Sequence, residues 1–187
     1  MAPSSSKQAQ RRRHNALQRY ARERQRNVLA SPGPQTFVLV LDHLKAGFNV
    51  AKIFRSAEAF GASEVHLINV APFDPAPAKG AFRKVPARFH EDFQTCFAEL
   101  TARGYVFFAL DASCARHSPT TPLPRKSAFI LGNEGLGLCF SRADYPAVQC
   151  LAIPLAGHTE SLNVSVAASI IMYEYNRQYP LTLGSDT

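Results

Sequence analysis

Ser127-Ala-Phe-Ile-Leu-Gly-Asn-Glu-Gly-Leu-Gly137 is the stretch on which the fold turns. Its first five residues make a short run of strand length, and the glycines that follow force a turn at the strand's carboxyl end. Outward from it, runs of the same kind occur at Thr36–Leu41, Glu64–Val70, Tyr105–Leu110 and Val148–Ile153. Helical stripes lie between them. Val50, Ile53, Phe54, Ala57 and Phe60 form one, with Gly61 placed to cap it; Phe93, Cys96, Phe97 and Leu100 form another, closed by Gly104. Ala71 to about His90 is rich in proline and reads as a loop, whereas Leu162 to about Asn176 is apolar on nearly all sides and reads as a buried helix. Strand and helix alternate, which predicts an α/β domain: a largely parallel sheet flanked by helices.

The 187 residues suffice for one domain with its own core. No apolar run approaches the roughly 20 residues that span a bilayer, and the first residues lack a secretory apolar stretch. No membrane partner is therefore expected. Cys96, Cys114, Cys139 and Cys150 are scattered, with no CxxC and no histidine at zinc-finger spacing. They read as reduced thiols of a cytoplasmic protein that holds no metal.

The net charge of +7 is unevenly placed. Residues 1–26 carry eight basic side chains against Glu23, and the rest of the chain carries 13 of each sign. Met1 to Ser6 is expected to be disordered, Gln8–Leu29 has helix-compatible spacing, and Ser31-Pro-Gly-Pro34 reads as a hinge. The division expected is a basic arm and hinge over 1–34 and a neutral α/β domain over 35–187. Arg11, Arg12, Arg13 and Arg19 on the arm suit nucleic-acid phosphates, because each neutralised phosphate releases counterions. Lys79, Arg83, Lys84 and Arg88 in the Pro-rich loop offer a second such patch. A solvated tail is the plainer alternative for the arm.

Ligands of open parallel sheets bind beyond the strands' carboxyl ends. Three polar or glycine-rich segments sit there: Asp42–Asn49 leading into the helix of Arg55, Gly132–Gly137, and Pro154–Asn163. Glu134, between glycines, has no core to serve. Arg55 reads either as a solvent-facing arginine or as a functional one. Ser161 suits the N-cap of the last helix, and Asn163, two residues inside it, is a poor helix former there, which suggests a task for its amide. No GxSxG elbow, phosphate loop or paired-carboxylate pattern occurs.

In order and together, Asn49-Val-Ala-Lys-Ile-Phe-Arg55-Ser-Ala with Phe60-Gly61, Leu131-Gly-Asn-Glu-Gly135, and Ile153-Pro154 with Ser161-Leu-Asn-Val-Ser-Val-Ala167 resemble the SpoU/TrmH family of RNA ribose 2′-O-methyltransferases, in the SPOUT superfamily. The resemblance spans about residues 36–176. It implies a C-terminal trefoil knot, which topology rules alone would not suggest. It further implies a homodimer whose active site draws on both subunits, with S-adenosyl-L-methionine as cofactor. By the same resemblance Leu110, Leu131, Gly132, Ile153, Leu155, Ser161 and Leu162 hold the cofactor, and Arg55, Asn49, Glu134, Ser161 and Asn163 form the catalytic set. The family often assigns its arginine as the base. An arginine keeps its proton, so polarising the developing alkoxide is the more natural role for Arg55. The RNA is tRNA or rRNA, with a slight lean to tRNA. Two other readings compete: a non-catalytic RNA-binding or assembly protein on the same scaffold, and a nucleotide-binding α/β enzyme.

Overall fold

A computed structural model of the chain describes residues 5–181. Six strands form one sheet: β1 (Val38–Asp42), β2 (Glu64–Ile68), β3 (Ala87–His90), β4 (Val106–Leu110), β5 (Ser127–Leu131) and β6 (Val148–Leu151). Their spatial order is β3-β2-β1-β5-β4-β6, and every neighbouring pair is parallel. Four helices cover it: α1 (Ser5–Asn27), α2 (Phe48–Ala59), α3 (Phe93–Ala102) and α4 (Val164–Gln178). Among the described residues, no helix is long and apolar enough to cross a membrane.

A strand alternates its side chains between faces, so both faces of a covered parallel sheet must be apolar. β1 does this with Leu39 and Leu41 toward the larger core and Val38 and Val40 toward the smaller one. The larger core collects α2, α4 and Tyr20 of α1, with Phe54, Phe73 and Phe82 packed ring to ring beside them. The smaller core holds Phe93, Cys96 and Leu100 of α3, with Phe140 and Tyr145 against them.

The five strands expected from sequence are all present. The sixth, β3, lies inside the stretch read as loop. Its residues Ala-Arg-Phe-His follow a proline and form an exposed edge, so no apolar pattern announces them. α4 also differs from expectation: Val166 and Tyr173 are exposed, leaving one face open. The four cysteines are not all free thiols, because Cys114 and Cys150 are paired in a disulfide that joins the loop after β4 to β6. Their separation of 36 residues conceals the pairing from any spacing rule.

Of Met1–Ser6, the first four residues lie outside the described chain, and Ser5 already begins α1. Much of α1 is exposed, but its last two turns are docked. Tyr20 enters the core, and Arg19 forks onto Asp74 at 3.2 and 2.9 Å. Asn27 donates to the Phe82 and Val85 carbonyls and accepts from the Ala87 amide. At Pro34-Gln35 and Gly33 the backbone is bonded to the turn after α2, through Gly33 N to Ala62 O and Gln35 N to Gly61 O. A Cβ on Gly33 would lie 2.4 Å from the Gly61 carbonyl oxygen, so only glycine allows that approach.

Candidate active site

The carboxyl ends of β4, β5 and β6 open into a cavity of about 390 Å³, a size suited to a small-molecule ligand. Leu110, Leu131, Gly132, Ile153, Leu155, Ser161 and Leu162 all line it, so every residue expected to hold a cofactor faces one space. Three acidic side chains, Asp111, Glu134 and Glu160, share the lining with these apolar walls. The Ser113 amide, donating at 2.9 Å, helps hold the Asp111 carboxyl below its usual range. None of Asp111, Glu160 or Asn133 was singled out from sequence. Asp111 and Asn133 directly follow expected residues at strand ends, and that position was the available signal.

Asn133 organises the glycine loop. Its buried side chain donates to the His43 carbonyl at 2.7 Å and accepts from the Gly135 and Leu136 amides at 2.9 and 3.2 Å. Its backbone pairs with Gly137 in both directions. Gly132 is required by this closure: a Cβ there would sit 2.8 Å from the Gly137 carbonyl group. Gly135 has no comparable need, since its nearest neighbour would be the Asn133 side chain at 3.7 Å.

Three of the expected catalytic residues form one hydrogen-bonded chain. Asn49 in the first turn of α2 donates to Glu134 at 2.7 Å, and Asn163 donates to Asn49 at 3.2 Å. Asn163 is also the N-cap of α4, accepting from the Ser165 amide at 3.0 Å. The helix starts two residues later than expected, which corrects Ser161 as the cap and removes the apparent misfit of Asn163. Ser161 is free to face the cavity.

Arg55 is placed elsewhere. It is exposed on α2, six residues beyond Asn49 and so about 9 Å along the axis. It lines a second, shallow groove with Lys52 and Ser56 of α2, Phe60 at its C-cap, and Val166, Ser169 and Tyr173 of α4. The two helices are joined there by Ser56 and Ser169 at 2.8 Å. Arg55 does not line the cavity. Arg11, Arg12 and Arg13 are exposed on α1, and Lys79, Arg83 and Lys84 are exposed below it. Lys84 is paired with Glu58 at 2.7 Å, and Arg88 with Glu64 at 3.2 Å.

The sequence profile of the SpoU rRNA Methylase family matches residues 36–173. The chain belongs to that family. It is 31% identical over 161 residues to the tRNA (guanosine(18)-2′-O)-methyltransferase of Thermus thermophilus, covering 84% of this chain and 82% of that one. The A. aeolicus TrmH/SpoU tRNA modifying enzyme superposes with a TM-score of 0.70 at 25% identity, over 86% of this chain and 82% of that one. The SpoU methyltransferase AviRb of Streptomyces viridochromogenes, solved with the cofactor AdoMet, gives 0.70 at 26% identity. That match covers 79% of this chain and 60% of the longer AviRb chain. The SpoU family member described here is an RNA methyltransferase.

Proposed function

We propose that this SpoU-family protein transfers a methyl group from S-adenosyl-L-methionine to a ribose 2′-hydroxyl of a structured RNA in the cytoplasm, with tRNA favoured over rRNA. The observation that carries this is the convergence of all seven expected cofactor residues on one cavity, with Glu134 on its wall tied outward to Asn49 and, through Asn49, to Asn163. The cavity's chemistry fits the cofactor. Leu110, Ile153 and Leu155 offer apolar walls for an adenine, and Asp111, Glu134 and Glu160 offer negative charge to a cationic ligand. S-adenosylmethionine, when bound, supplies a methyl group carried on a positively charged sulfur.

The protein's part is then mainly positioning and electrostatics. Asn49 holds Glu134 in place, Asn163 in turn fixes Asn49, and Ser161 offers a hydroxyl to the ribose or cofactor. The Arg55 guanidinium stabilises the ribose oxygen as that oxygen's own proton departs to water. Because Arg55 lies in the α2–α4 groove, it serves the cavity of a second subunit. The exposed Val166 and Tyr173 beside it give a homodimer an apolar face to bury. A trefoil knot through the 131–163 region completes the reading, with residues 35–187 as the methyltransferase domain and 1–34 as an RNA-gripping extension. Arg11, Arg12, Arg13, Lys79 and Arg83 supply phosphate contacts. Arg19, already forked onto Asp74, acts chiefly to fix α1.

The test is incubation with methyl-labelled cofactor and separate unmodified tRNA and rRNA pools, followed by nucleoside mass spectrometry. A 2′-O-methylated nucleoside in the tRNA pool is expected, lost in Arg55→Ala while cofactor affinity is kept. Cofactor binding without transfer to either pool would overturn it.

A further inference from the structure

Two large exposed apolar side chains lie within two residues, along the chain, of the partners in the Asn49–Glu134 hydrogen bond. Phe48, immediately before Asn49, is 65% exposed, and Leu136, two residues after Glu134, is 85% exposed. Single exposed apolar residues are ordinary on a protein surface. These two differ because they come from separate segments that meet at the rim of the cavity, where Asn49 and Glu134 approach to 2.7 Å. Both are carried on fixed backbone. Phe48 is the first residue of α2, and the Leu136 amide is held by the Asn133 side chain at 3.2 Å. Neither is needed by the core, since Val50, Ile53 and Phe54 of α2 already fill it.

We propose that Phe48 and Leu136 form a clamp for an unpaired nucleobase of the RNA. The inference rests on the methyltransferase reading above and names how that site holds its substrate. Bases splayed out of single-stranded RNA stack on aromatic side chains, a contact tolerant of sequence because every base has a π-face. Lys45, exposed in the loop that leads to Phe48, offers a positive charge to the adjoining phosphate. A ribose presented to the cavity has its base within reach of the segments that Asn49 and Glu134 join, and each of those segments carries one of the two exposed apolar side chains. The excess of basic residues on the chain complements the same partner.

The chain contains no tryptophan, so Phe48→Trp installs a unique fluorophore at the clamp. The probes are an unstructured oligoadenylate 12-mer and an abasic ribose-phosphate 12-mer of equal charge. The expected result is emission quenched at least about two-fold by oligoadenylate and unchanged by the abasic strand. Phe89→Trp, at an exposed site under Arg24, is expected to show no quenching with either. Phe48→Ala is expected to weaken oligoadenylate binding about five-fold or more, and Phe48→Tyr to restore it, with cofactor affinity unchanged in both. Equal quenching by both strands, or none by either, overturns the clamp. Emission already blue-shifted without RNA and dependent on protein concentration also overturns it, in favour of a second copy covering Phe48. Methyl transfer by the unaltered protein is measured in parallel, so failure of the clamp is distinguished from failure of the reaction.

Discussion

At the carboxyl ends of β1 and β2 the chain turns on His43 (φ 53°) and Asn69 (φ 47°), two non-glycine residues in the left-handed region. Their side chains bond to each other at 3.0 Å, and the His43 ring leans on the fully buried Asp42 at 2.8 Å. At the carboxyl end of β5 the chain turns instead on Gly132, with no side chain to offer, and there the cavity opens. One parallel sheet thus ends in two ways. Where side chains bond across neighbouring strand ends, the edge is sealed. Where glycine backbone closes on itself through Asn133, room is left for a ligand. The same contrast runs deeper in the sheet. The β2–β3 side holds Glu64 in a network of His66, Arg88 and Arg103, while the β4–β6 side carries its carboxylates on the cavity wall.

The sharpest way to break the contrast is to put a side chain where only backbone fits. Gly132→Ala drives a Cβ against the Gly137 carbonyl at 2.8 Å and the Leu138 amide at 3.1 Å, so the loop must shift. Cofactor affinity in a calorimetric titration should fall about 100-fold, equivalent to roughly 3 kcal/mol. The melting temperature should change little by comparison.

The opposite pattern is expected on the sealed side. Hydrogen bonds from His66 and Arg103 outweigh burial and hold the Glu64 carboxyl at about 2. Glu64→Gln leaves His66 without its charged partner and Arg103 with Glu99 alone, and should cost on the order of 2–4 kcal/mol in chemical denaturation, with cofactor affinity kept. The sign of the pH dependence follows from the lowered value. Glu64's contribution is complete above its unfolded pKa of 4.5 and is lost as the pH falls toward about 2. The Gln variant should show a flatter stability profile across that window.

Smaller effects are expected at the periphery. Replacing Arg11, Arg12 and Arg13 with Gln should lower RNA affinity about ten-fold and reduce the slope of log affinity against log salt by roughly 2–3. Deleting residues 1–30 would be a poorer test, because it removes Tyr20 and Asn27, which are part of the fold. Least of all, Glu160→Gln should weaken binding of the sulfonium cofactor about three- to ten-fold and leave its uncharged thioether product nearly unaffected. Equal losses for both would remove charge as the reason for that acidic wall.

The legibility of the sequence follows the same division. The cavity could be read because its residues are local: strand ends, glycines and Asn49, Glu134 and Asn163 lie in three compact segments, and the 3D fold only brings the segments together. Arg55's groove could not be read, since it depends on which faces of α2 and α4 meet. β3 escaped because a charged edge strand carries no apolar alternation. Tyr20 and Asn27 escaped because a basic helix advertises its arginines, while two residues do the docking. The Asn163 cap shows the reverse case: a residue noticed as out of place in a helix was in fact marking the helix's first boundary.

The Cys114–Cys150 bond gives the cavity side something the sealed side obtains from ion pairs. It closes a covalent ring around β5 and the glycine loop, and the ring persists when the chain unfolds. A ring of that contour length removes on the order of 4 kcal/mol of chain entropy from the unfolded ensemble. The open half of the sheet is therefore favoured through the poverty of its alternatives, by a connection that lies outside the ligand's own contacts.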